Sequence, residues 1–133
     1  MSFSFTTELK VRFAETDAQG VAHHAAYFVW LETARVEYLG HVAGGYQKLR
    51  DEGIEATTLE AYLRYLTPAR FDDVLAVRTR CGDLRGARFR FDYVIERGEE
   101  AIAEGWTTHA CVDSKTFRPR RLPDALRQAI DRA

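Results

Sequence analysis

Apolar and polar residues alternate along the first stretch of the chain. Phe3, Phe5, Thr7, Leu9, Val11 and Phe13 fall on one parity, and Ser4, Thr6, Glu8, Lys10 and Arg12 on the other. A period of two predicts a strand with one face buried. The pattern then changes. Tyr27, Trp30, Leu31, Ala34 and Tyr38 recur at offsets of three and four, which predicts a helix beginning near His24. Phe28, Val29, Val36 and Leu39 widen its apolar surface, so it is expected to be covered on most sides. Gly44-Gly45 offers left-handed geometry to end it.

Strand patterns dominate the remainder of the chain. Residues 57–66 read as a strand that stops at Thr67-Pro68, where proline restricts the backbone before it. Residues 74–81 form the next. In residues 88–96, Phe89, Phe91, Tyr93 and Ile95 line one face while Arg88, Arg90, Asp92 and Glu96 line the other. Residues 101–113 make the last long strand, and residues 122–133 a short helix with Leu122, Leu126 and Ile130 at helical spacing. The predicted order is a strand, a long apolar helix, four strands in hairpin succession and a short helix. Such an α+β chain suits a curved antiparallel sheet wrapped around one helix. Its open edges need cover, which favours a homo-oligomer.

At 133 residues the chain is expected to be one domain, residues 1–133. A net charge of -1 argues against a nucleic-acid partner, which calls for a basic surplus. Cys81 and Cys111 both fall in strand patterns and are expected as buried free thiols in a reducing compartment. No apolar run approaches the ~20 residues that cross a bilayer, and the start lacks a charged region followed by an apolar core. The expected location is therefore cytoplasmic, without membrane insertion.

Candidate chemistry centres on Asp17, which sits between the first strand and the helix. A carboxylate facing a helix N-terminus lies near unpaired N–H groups and a partial positive charge. Acyl transfer needs that combination: a nucleophile or general base, and a cradle for an oxyanion. The competing reading is a turn residue, since Asp followed by Gly20 is common in loops. Gly20 itself suits a positive φ or a close backbone approach. His23, His24, His41 and His109 have no metal-ligand spacing.

The string Glu15-Thr-Asp-Ala-Gln-Gly-Val-Ala-His-His-Ala-Ala-Tyr27, followed by Trp30-Leu-Glu-Thr-Ala-Arg35, resembles the signature of hotdog-fold acyl-CoA thioesterases. The likeness is to the 4-hydroxybenzoyl-CoA thioesterase-like family, which includes the Tol-Pal-associated acyl-CoA thioesterases. Tyr65-Leu-Thr-Pro-Ala-Arg-Phe-Asp-Asp73, Ala103-Glu-Gly105 with His109, and Arg118-Pro-Arg-Arg-Leu-Pro123 are similar to that family too. The resemblance implies a five-stranded antiparallel sheet around a central helix, assembled as dimers or as dimers of dimers (a homotetramer). It also implies hydrolysis of acyl-CoA to free acid and CoA without a cofactor. By the same resemblance Asp17 is the catalytic carboxylate, and the oxyanion is bound by a backbone N–H at or beside His24.

Other assignments rest on the same likeness or on residue type. Glu32 is read either as an ion-pair partner of Arg35 or as a polar group lining the acyl pocket. Glu60 is a second buried-carboxylate candidate. Tyr27 and Trp30 are expected as core and pocket wall, and Tyr62 and Tyr65 as candidate lining. Arg85 and Arg88 match a region where relatives contact the nucleotide, with Arg70, Lys115, Arg118, Arg120 and Arg121 as further phosphate candidates. Two alternatives stay open. One is a hotdog dehydratase or hydratase acting on CoA or acyl-carrier-protein esters, pairing His24 with Glu32. The other is a non-catalytic acyl-thioester binder.

Overall fold

The computed structural model describes residues 3–133; Met1 and Ser2 lie outside the described residues. The first strand, β1 (Phe5–Lys10), is shorter than the alternation of side chains suggested. After it the chain buries Val11 and turns through a single 3-10 turn, Phe13–Glu15, which leaves Phe13 75% exposed against the edge of the Phe71 ring. The long helix α1 (His24–Ala43) starts and stops where expected, and Gly44 ends it at a φ of 76°. It buries Ala26, Tyr27, Trp30, Leu31, Ala34, Tyr38 and Leu39. Its other flank is open within one chain, with Phe28, Val29 and Val36 exposed, so the expected cover on most sides is not supplied by this chain alone.

A short helix, α2 (Tyr46–Asp51), was not legible in the sequence. Six residues with Leu49 as the buried anchor carry no apolar stripe to read. The remaining strands are β2 (Ile54–Tyr65), β3 (Val74–Arg85), β4 (Arg88–Arg97) and β5 (Glu100–Asp113), followed by helix α3 (Asp124–Arg132). All pair antiparallel in one five-stranded sheet of order β1-β3-β4-β5-β2. This is the hotdog architecture, with α1 lying on the inner face against Leu75, Val77, Phe91 and Ile95.

One expectation is corrected. The last four strands are not a run of hairpins, because β2 does not pair with β3. It pairs with β5, from Ile54 opposite Asp113 to Tyr65 opposite Ala103. Residues 66–73 instead carry the chain across the sheet, from the edge strand β2 to β3, which lies next to the opposite edge strand β1. That crossover is pinned to the Asp17 loop. Ala22 N–H donates to the Ala69 carbonyl at 2.8 Å, Val21 bridges Arg70, and Val11 N–H donates to the Asp73 carbonyl at 2.9 Å.

Beneath the C-terminal half of α1, Cys81 and Cys111 line a small apolar void with Leu39, Leu49, Phe89 and Leu122. Both thiols are free, as expected. Burial pushes Cys81 up to about 12 and raises Cys111 as well, so neither is a thiolate near neutral pH. Gly105 has a packing reason: a Cβ there would run into the Tyr62 carbonyl of β2. That obstacle is backbone and cannot swing aside. Gly105→Ala is therefore expected to lower the urea midpoint by the equivalent of about 1–3 kcal/mol, as overpacked sites do.

Candidate active site

Asp17 lies in a loop that is hydrogen-bonded across its base. Thr16 bridges Ala22, and Asp17 N–H donates to the Val21 carbonyl at 2.9 Å. Gly20, at φ 80°, makes the bend, and its N–H donates to the Asp17 carbonyl at 3.0 Å. The Asp17 side chain closes an Asx turn: Oδ1 accepts from Gln19 N–H at 2.8 Å and, more weakly, from Val21 N–H at 3.4 Å. Among the described residues Oδ2 has no partner. The turn reading and the catalytic reading therefore coexist, since one oxygen is spent on the loop and the other faces solvent.

The loop runs directly into α1. His23 precedes the helix in extended conformation, and no side chain caps the turn. Among the described residues no acceptor takes the His24 N–H, which leaves a donor and the positive end of a 20-residue helix at the loop exit. The helix start is held from the sheet. Tyr65, at the end of β2, donates its hydroxyl to the His24 carbonyl at 3.0 Å and packs against the His24 ring in a tilted contact, with centroids 4.8 Å apart. Tyr27 packs edge-on against Tyr65, and its hydroxyl oxygen accepts the Ala69 N–H at 3.1 Å. Tyr27 and Trp30 are both buried in the core. His24 and Glu32 are eight residues apart on one helix, ~12 Å along its axis, and do not pair.

Glu15, part of the signature block but given no role from sequence, is buried to 6% exposure beside this loop. Oε1 accepts Arg12 N–H at 2.8 Å, while Oε2 accepts the Trp30 indole N–H at 2.9 Å and an Arg12 guanidinium N–H at 3.3 Å. Burial alone raises its pKa, but these hydrogen bonds and the Arg12 charge outweigh that and hold it below the usual glutamate value. A legible hint was the spacing Arg12 to Glu15 with an indole two turns into the helix.

Farther along α1, Glu32 and Arg35 line a cavity of about 290 Å³ with Thr58, Phe89, Phe91 and His109. A second, of about 250 Å³, shares Glu32, Arg35 and Thr58. The proposed Glu32–Arg35 ion pair does not form: Arg35 donates to the Tyr93 hydroxyl at 3.2 Å instead. From there a buried chain runs through Thr107 (2.6 Å) and His109 Nε2 (2.8 Å), with Nδ1 at 3.4 Å from Thr58 Oγ1. The arrangement that gives each hydroxyl proton an acceptor runs one way. Tyr93 donates to Thr107, Thr107 to Nε2, and Nδ1–H to Thr58, so His109 is neutral. Burial, reinforced by the Arg35 charge, lowers its pKa to about 4.

Other predicted positions scatter. Arg70 is beside the Asp17 loop through its bridge to Val21. Arg85 and Arg88 flank the β3–β4 turn at the far end of β3, about 35 Å from its Val74 end at ~3.3 Å per residue. Arg85 is engaged by Asp83 at 2.9 Å. Glu60 is not buried. It is exposed on the sheet face away from α1 and accepts from Thr108 at 2.9 Å. Tyr62 lies on that same outer face, stacked on Trp106, and lines none of the groove beside α1. Arg120 is occupied by the Glu52 and Gly53 carbonyls.

A five-stranded sheet on one central helix, with a carboxylate loop leading into that helix, defines a class, and sequence comparison agrees. Residues 11–130 match the model of the thioesterase-like superfamily, and the chain belongs to that family. It is 32% identical over 123 residues to the acyl-CoA thioester hydrolase YbgC of Escherichia coli, covering 92% of each chain. Among solved structures it is similar to a 1,4-dihydroxy-2-naphthoyl-CoA thioesterase from Synechocystis, with a TM-score of 0.87 and 25% identity over 96% of this chain and 95% of that one. A DHNA-CoA thioesterase from Staphylococcus aureus gives 0.89 and 26%, over 96% and 88%.

Proposed function

We propose that this chain is a cytoplasmic acyl-CoA thioesterase, releasing a free acid and CoA with Asp17 as its catalytic carboxylate. The observation that carries the reading is the free Oδ2 of Asp17 in a loop that ends at an uncapped helix start. A thioester carbonyl seated there meets the carboxylate on one side and the His24 N–H on the other. As charge moves onto the carbonyl oxygen, that N–H and the helix dipole stabilise it. The carboxylate acts in one of two ways. As nucleophile it expels CoA thiolate and leaves a mixed anhydride on Asp17, which water hydrolyses. As general base it takes a proton from the attacking water, and the tetrahedral intermediate then expels the thiolate. Neither route calls for a cofactor. A single turnover in heavy-oxygen water tests the first, since label appears in Asp17 only when water opens an anhydride at the aspartyl carbonyl.

Gly20 shapes the bend, and Tyr27 walls the site from below. Arg70 is the phosphate candidate nearest the loop. Arg85, at the end of β3, and Arg88, at the start of β4, lie a strand's length from the Val74 end of β3, so a role as nucleotide contacts suits the CoA held by a second copy of the chain. The open apolar flank of α1 and the open β2 edge suit such a copy, in a dimer or a dimer of dimers. Glu32 then lines the acyl pocket from the groove beside α1. The test is thiol release from short, medium, long and aromatic acyl-CoAs, run beside crotonyl-CoA hydration. Thiol release supports the reading. Hydration without free thiol supports a hydratase, and saturable binding with neither supports a binder.

A further inference from the structure

Glu15 is the only buried carboxylate among the described residues, and it is joined to each segment that frames Asp17. Its side chain ties the end of the first strand, through Arg12, to the second turn of α1, through Trp30. Its backbone carbonyl accepts the His23 N–H at 2.9 Å, closing the loop one residue before the helix. Asp17 and the His24 N–H therefore sit on two arms of one clamp, with Glu15 at its centre. We infer that Glu15 is a positioning residue, fixing the catalytic carboxylate relative to the oxyanion donor without touching substrate. This rests on the Asp17 reading and adds a residue to it.

The chemistry of the site makes the inference sharp. Three donors converge on two oxygens, so an ionised carboxylate satisfies all of them. Glutamine offers one oxygen and turns an NH2 group toward a donor whichever way it is placed. A misplacement of ~1 Å at a reacting group costs about a hundredfold when geometry carries the rate. A partly relaxed clamp should cost less.

The experiment measures kcat and KM by thiol release for Glu15→Gln, Trp30→Phe, the double variant and Asp17→Asn, using the acyl-CoA that wild type turns over fastest. Glu15→Gln is expected to lose at least tenfold in kcat with KM within twofold of wild type. Trp30→Phe, which keeps the carboxylate but removes one donor, is expected to lose three- to tenfold. In the double variant the glutamine NH2 no longer opposes the indole, and the exposed Arg12 guanidinium is free to turn to solvent, so kcat recovers to near that of Trp30→Phe. Wild-type kcat in Glu15→Gln, or losses that simply multiply, overturns the inference. If Glu15→Gln does not fold, wild-type kcat in Trp30→Phe overturns it. Turnover retained by Asp17→Asn sinks the Asp17 reading instead. A readout independent of turnover is amide hydrogen exchange: Asp17, Gln19 and His23 should exchange faster in Glu15→Gln, and unchanged protection again overturns the inference.

Discussion

Asp17→Asn is expected to reduce kcat for thiol release at least a hundredfold while leaving KM within a few-fold and the fold intact. The size follows from what is removed. A positioned general base contributes about 10²–10⁴-fold, and loss of a nucleophile costs no less. The selectivity follows from how the side chain is held. Asparagine keeps an oxygen at the Oδ1 position, so the bonds from Gln19 and Val21 N–H survive and the Asx turn with them. What changes is Oδ2, which becomes an amide nitrogen with neither nucleophilicity nor basicity. Unfolding midpoints measured beside the kinetics separate the two effects. More than a tenth of wild-type kcat in a fully folded variant would falsify the assignment of Asp17.

The second large effect concerns acid stability. His109 is 3% exposed and neutral in the fold, with its pKa lowered from 6.5 to about 4. The unfolded chain takes up a proton at the ordinary value, while the native chain resists until near 4. The contribution of His109 is thus complete above pH 6.5 and lost as pH falls from there toward 4. With ~1.4 kcal/mol per pKa unit, the loss amounts to about 3 kcal/mol. Urea midpoints taken between pH 7.5 and 4 should fall steeply across this window. His109→Gln, which can hydrogen-bond but cannot titrate, should flatten that part of the slope while being less stable at neutral pH. An equal slope in wild type and variant would assign the acid sensitivity elsewhere. The Glu15 carboxyl, held low by its donors, adds its own loss below the usual glutamate range.

Much of this molecule was legible from local pattern. The limits of α1 could be read because its apolar spacing is long and ends at paired glycines, and β4 because its phenylalanines, tyrosine and isoleucine keep strict parity. The partnership of β2 with β5 could not be read, since alternation says that a strand has a buried face and nothing about its neighbour. Asp17 stood out because a carboxylate before a helix has a chemical meaning within a few residues. Glu15 did not, because its role depends on Trp30, fifteen residues away and brought close by folding. The Glu32–Arg35 pair failed for a similar reason: helical spacing allowed it, but Tyr93 from β4 claimed the guanidinium. Glu60 was misplaced by one parity, which in a strand exchanges the inner face for the outer.

The strand order also bears on how the chain is made. β2 is complete at Tyr65, yet its only described sheet partner ends at Asp113, nearly fifty residues later. On a ribosome, β2 emerges with a long unpaired edge and waits while β3, β4 and β5 are synthesised and zip together. Its pairing closes a loop that encloses most of the sheet, the kind of contact that slows folding and leaves hydrophobic strands open to the wrong partner. Leu59, Tyr62 and Tyr65 are the large apolar side chains of β2 that stay exposed even in the finished fold. Glu60 and Arg64, charged and on the outer face, stand between them as gatekeepers against a premature encounter with another nascent chain.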